Sequence, residues 1–355
     1  MSFSTPDSDS NRRVFWADAT RAVAIILVLL IHIFDRLYKA DHRANISWWT
    51  VNVILSVAHT CIPIFFMLSG TFLLSKNEST ATFYRKRLKK LVIPLVAWSV
   101  IYIFWDKRSF SFFFHDSHIY QLISVPLQRP AYYHLWFMYA IIGLYVLIPF
   151  VKKIALNSSE EELRAFMFLW FVASSVIPIY WKYRWLTGMG IEMLTGYAGY
   201  LVVGYVIGRS ELSKKMGPAL TAVFLINLGI TAFGTYKLSN ADAALNQTFL
   251  SPLQPNMILM SVSLFALFKF VAGTRSPNRL LSLVVGRLCK TCYGIYLVHP
   301  LLFDGLTKGT FGINLNSISI PPLLLTPLTF LIVLFFSYLV VATLQEIPII
   351  KEIVP

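Results

Sequence analysis

The stretch TRAVAIILVLLIH, Thr20 to His32, sets an arginine and a histidine at the two ends of an apolar run. Ten residues separate Arg21 from His32, and all ten are apolar. A fixed cation and a titratable ring are costly to hold in hydrocarbon, so they mark a functional path by default. In an α-helix, eleven positions at ~100° each bring the second side chain to within about 20° of the first. The rise over that distance is ~16 Å, about half the hydrocarbon thickness of a bilayer. Asp18 lies three residues before Arg21 on the same face, within reach of its guanidinium. One helix stripe thus carries an anion, a cation and an imidazole in order. Snorkelling of Arg21 to one interface and of His32 to the other is the plainer reading. It leaves their shared face without a reason.

Composition sets the class. The chain has 355 residues, 56% hydrophobic and 14% charged, with a mean hydropathy of +0.63. Soluble domains are nearer ~25% charged. An all-α polytopic membrane protein is expected. Ten apolar segments can be read, at roughly 14–34, 50–74, 88–105, 132–151, 163–180, 194–208, 217–236, 254–272, 284–304 and 321–345. The first reads as a retained helix, since no small-residue cleavage site follows it. The sixth is short and glycine-rich, and the ninth is interrupted by GRLCKTC.

Ten segments put both termini on one side. With the N-terminus in the cytoplasm, the inner segments carry nearly two Lys or Arg for each one outside, which favours both termini in the cytoplasm. The expected layout is a tail at 1–13, one membrane domain at 14–345 and a tail at 346–355. No soluble domain is expected, the longest outer stretch being 106–131. The net charge of +14 belongs to short loops between apolar segments, so no nucleic acid is expected as a partner. Three cysteines, with Cys289 and Cys292 in a lone C-x-x-C, suggest neither a disulfide framework nor zinc. No metal is expected.

Four further stretches can carry chemistry. In CIPIFFMLSG, Cys61 to Gly70, the proline bends or unwinds the helix. Ser69 and Gly70 then admit a close backbone or a ligand. FYRKRLKKLVIP, Phe83 to Pro94, is a dense cationic face at the inner mouth of the third helix. Topology alone explains it, and a phosphate site is the functional alternative, with Arg85, Arg87 and Lys89 as its donors. YYHLWFMYA, Tyr132 to Ala140, holds His134 and Trp136 in an aromatic belt. With Trp48, Trp49, Trp181, Tyr183, Arg184 and Trp185, and with Glu192, it forms an outer rim suited to stacking on sugar. In CYGIYLVHP, Cys292 to Pro300, His299 sits inside an apolar segment before a proline.

Together and in this order, these stretches resemble acyltransferase family 3 of integral membrane acyltransferases. The elements are Asp18-Ala-Thr-Arg21 with His32, Phe65-Phe66-Met67-Leu68-Ser69-Gly70, the basic run Arg85 to Pro94, His134 to Phe137, and Tyr293-Gly-Ile-Tyr296-Leu-Val-His299. The resemblance covers about 14 to 345. The YHLWF form looks most like the branch that O-acetylates bacterial surface polysaccharides such as enterobacterial common antigen. Many relatives add a periplasmic hydrolase-like domain, which this chain is expected to lack.

The resemblance implies cytoplasmic acetyl-coenzyme A as donor and a sugar hydroxyl as acceptor, on a surface glycan or its lipid-linked precursor, in the bacterial inner membrane. It implies His32 as general base or transient acyl acceptor, Arg21 held by Asp18 on the donor path, and Ser69 with the basic run at the donor. His134, Trp136, Glu192 and His299 fall to the acceptor. A glycan or lipid-linked sugar transporter is the rival. Ten helices and buried charges suit it, but no repeat between the halves supports it.

Overall fold

The computed structural model describes residues 8–40, 46–76, 78–107, 126–176, 191–241, 246–274, 277–312, 315 and 322–355. These form α1 (Ser8–Ala40), α2 (Ile46–Ala58), α3 (Cys61–Leu73), α4 (Thr80–Arg87), α5 (Lys89–Lys107), α6 (Trp136–Asn157), α7 (Glu160–Phe171), α8 (Ile191–Arg209), α9 (Met216–Ala241), α10 (Pro255–Thr274), α11 (Arg279–Thr307) and α12 (Pro322–Gln345). No strand occurs among the described residues, so this is an all-α polytopic membrane protein.

Every expected apolar segment meets a helix. Eight spans among the described residues are long and apolar enough to cross a membrane. The other two segments are α7 and α8. Helix α7 is 12 residues long with three glutamates in its first turn, which is short for a span. It runs on into a π-helical turn, Val172–Val176; the rest of that segment, with Trp181, Tyr183, Arg184 and Trp185, lies outside the described residues.

Pro63 accounts for the break in the second segment. Pro63 has no N–H to give the carbonyl of His59, and its ring crowds that carbonyl. The helix breaks there into α2 and α3, with a Thr60 N–H to Val57 O bond of 3.1 Å closing the turn. The ninth segment, by contrast, is continuous through GRLCKTC. Its start is capped by Asn278, whose side chain accepts the Leu281 N–H at 2.7 Å.

Helix α1 lies inside the bundle, packed against α2, α3, α10, α11 and α12. Its Ala17, Ala24, Ile25 and Leu29 have no exposure at all. Helices α1 and α11 run parallel: Cys289 meets Arg21, and ten residues later His299 meets His32. Helix α3 packs on α8 with backbones nearly touching. A Cβ on Gly70 would fall 1.9 Å from the Leu201 oxygen, and one on Gly204 would fall 2.0 Å from the Met67 oxygen. Glycine is required at both places.

Lys269, a cation within the apolar segment 254–272, caps the end of α8. Its ammonium donates to the carbonyls of Ile207 (2.6 Å), Gly208 (2.8 Å) and Ser210 (2.5 Å), the groups a helix C-terminus leaves unbonded. The segment 346–355, expected as a tail, folds back onto the bundle. Val354 is fully buried, and Trp98 donates its indole N–H to Ile353 O at 2.9 Å.

Candidate active site

Helices α1, α3, α6 and α11 enclose a cavity of about 760 Å³ that reaches from Arg21 to His32. The helical stripe read from sequence is one wall of it. The Arg21 end is lined by Arg21, Lys76 and Arg87, with no acid in the lining. The middle is largely apolar, with Phe65, Leu68 and Ile141. The His32 end turns polar again, with His32, His59, His134, Gln247 and Ser251.

Arg21 is fixed from behind. Its Nη1 lies 3.3 Å from Asp18 Oδ1 and 3.0 Å from Cys289 Sγ. The Cys289 thiol in turn donates to Asp18 at 3.2 Å, so carboxylate, guanidinium and thiol close a triangle. The guanidinium carbon also sits 5.9 Å from the centre of the Phe72 ring, in cation–π range. Arg87 is held more loosely, its Nε 3.8 Å from Glu78.

The other end is a cluster of rings. His299 stacks on His32, with centroids 5.2 Å apart and planes at 26°. His134 meets His299 edge-on at 5.6 Å. Tyr133 meets His32 edge-on at 5.0 Å. His299 is fully buried, and its Nδ1 lies 3.0 Å from Ile295 O. A carbonyl only accepts, so Nδ1 carries the proton. His134 is 1% exposed, yet neither ring nitrogen has a hydrogen-bond partner among the described residues. A buried polar group in that state is costly, and here it borders the cavity. Among the described residues no group of three His, Cys, Asp or Glu has a metal-binding arrangement.

Of the residues singled out from sequence, Arg21, His32, Ser69, Arg87, His134 and Trp136 line this one cavity. Asp18 stands behind Arg21 and His299 behind His32. Arg85 is exposed and does not line it. Lys89 points away and pairs with Glu352 at 3.2 Å. The side chain of Glu192 lies outside the described residues. Lys76 and Cys289 were missed by the sequence reading. Lys76 looked like one more loop cation, and Cys289 meets its partner across 268 positions of chain.

The family model of an acyltransferase domain matches residues 14–343. Neither a curated protein nor a solved structure matches the chain.

Proposed function

The chain belongs to acyltransferase family 3 and is a membrane acyltransferase; on that premise we propose that it carries an acetyl group from cytoplasmic acetyl-coenzyme A to a sugar hydroxyl. The acceptor is a bacterial surface polysaccharide or its lipid-linked precursor, and the protein resides in the bacterial inner membrane with both termini in the cytoplasm. One observation carries the reading. A single cavity whose charged side chains, Arg21, Lys76 and Arg87, are all cations joins their end to an end lined by histidines, through a largely apolar middle. Arg21, Lys76 and Arg87 suit the phosphates of the coenzyme. The apolar middle suits its extended arm, and the thioester then lies beside His32.

In the proposed reaction His32 takes the proton of the sugar hydroxyl, and the hydroxyl oxygen attacks the thioester carbonyl. The carbon–sulfur bond breaks, and the leaving thiolate takes the proton back from His32. His299, stacked on His32, fixes the ring plane. His134 turns an otherwise unbonded N–H toward the carbonyl oxygen, where negative charge grows. Arg21 stands ~16 Å along the helix from His32, too far to meet that charge, so it binds the donor. Asp18 and Cys289 hold Arg21 in place.

The test is mass spectrometry of the surface glycan from cells with and without the gene. The enzyme reading expects the glycan to lose the mass of one acetyl group per missing substituent. A transporter leaves the glycan chemically unchanged, and an unchanged glycan contradicts the proposal.

A further inference from the structure

We propose that a second pocket, reached from His32 across the ring of Tyr133, binds the acceptor as an uncharged, hydroxyl-rich saccharide; this rests on the acyltransferase reading above. The pocket has a volume of about 430 Å³ and is lined by Asp106, Arg129, Tyr132, Tyr133, Asp304 and Lys308. Its size falls among small-molecule sites. Tyr133 belongs to this lining, and the same ring meets His32 edge-on at 5.0 Å. One side chain therefore separates the pocket from the proposed base. The sequence reading assigned no role to Asp106, Arg129, Asp304 or Lys308.

The chemistry of the lining selects the ligand. Two carboxylates face two cations, so the charges balance, whereas the main cavity has three cations and no carboxylate in its lining. The balanced pocket is a poor phosphate site. Sugar hydroxyls both donate and accept, which a mixed set of carboxylates and cations satisfies. Asp304 is 8% exposed and fixed in place. It accepts from Lys308 Nζ at 2.7 Å and from the Tyr132 hydroxyl. The Tyr132 ring is itself stacked on Tyr102 at 4.4 Å, so one wall is rigid. Tyr133 is 46% exposed and offers its face to the apolar side of a sugar ring. A hydroxyl passing the edge of that ring arrives at His32, where it loses its proton as described above.

The experiment uses the full-length protein in lipid nanodiscs with methyl glucoside, methyl galactoside, methyl mannoside and methyl rhamnoside as probes. Hexose 6-phosphates and methyl glucuronide serve as charged counterparts. Two readouts run in parallel: saturation-transfer NMR of each sugar without donor, and release of coenzyme A thiol from acetyl-coenzyme A with the sugar present. The expected result is binding of a neutral glycoside that Asp106→Asn and Arg129→Gln each weaken by about tenfold. The same variants raise KM for that glycoside by a similar factor, with KM for acetyl-coenzyme A within about twofold. Thiol release that responds to a glycoside but not to these substitutions overturns the pocket and leaves the enzyme reading standing. Glycoside binding lost in the variants, without thiol release in the wild type, supports the pocket and overturns the enzyme reading. Preference for the charged counterparts, or no binding of any neutral glycoside by the wild type, overturns the proposal.

Discussion

Arg21 is held by two side chains, and they differ in what they supply. Asp18 gives charge and Cys289 gives a polarizable acceptor that also donates onward to Asp18. Asp18→Asn leaves the shape but removes the charge that orients the guanidinium. KM for acetyl-coenzyme A is expected to rise by about three- to tenfold with kcat nearly unchanged, because the bond acts on donor binding. Cys289→Ser, which still accepts and donates, is expected to stay within about twofold of wild type in the same steady-state assay. A larger loss for Cys289→Ser than for Asp18→Asn contradicts this arrangement. At this scale the sequence showed as much of the site as one helix can encode. The eleven-residue spacing found the Arg21–His32 stripe, and the three-residue spacing found Asp18. The basic run was harder to read. Residues two apart on a helix point ~200° from each other, so Arg87 can line the cavity while Arg85 and Lys89 turn away from it.

Among the elements, the α3–α8 contact bears most directly on the cavity, since Ser69 lines it while its neighbour Gly70 packs on Leu201. Gly70→Ala puts a methyl into a carbonyl that cannot move without shifting α8. A loss of about 1–3 kcal/mol is expected, read as a lower melting temperature in detergent. Gly286→Ala is the control. Nothing lies within 4 Å of a Cβ there, and alanine favours the helix by about 1 kcal/mol, so stability is expected to hold or rise. The capping box of α7 gives a pH prediction. The Ser159 N–H meets the Glu162 carboxylate at 2.6 Å and the Glu162 N–H meets the Ser159 hydroxyl at 3.2 Å. The Ser159 backbone N–H first, and then its hydroxyl, hold the Glu162 carboxylate pKa below the usual range. The stabilisation is therefore present above that range and lost as pH falls through the lowered value. The protection factor of the amides at the start of α7, taken against the intrinsic exchange rate at each pH, is expected to fall on acidification, and Glu162→Gln, which has no carboxyl to titrate, is expected to remove that dependence. Periodicity and hydropathy revealed all ten apolar segments. Pro63 and Gly70 signalled the helix break and a close backbone; the partner, Leu201 of α8, was not legible, because it depends on how two distant helices pack.

For the whole molecule, the buried cluster runs from Trp16 to Val354, and the cavity opens within it between α1, α3, α6 and α11. Long-range pairing assembled what no local pattern contained: His299 behind His32, Cys289 behind Arg21, and Tyr133 between the main cavity and the second pocket. The account holds that one continuous path takes an acetyl group from a donor on the cytoplasmic side to a hydroxyl on the other, with His32 as the base. The direct measurement supplies labelled acetyl-coenzyme A only to the cytoplasmic face of vesicles and scores label on the glycan at the opposite face, for wild type and His32→Ala. The account predicts transfer by the wild type and a loss of about 10²–10⁴-fold in His32→Ala, with unchanged insertion and melting temperature. Transfer by correctly inserted His32→Ala at close to the wild-type rate contradicts it.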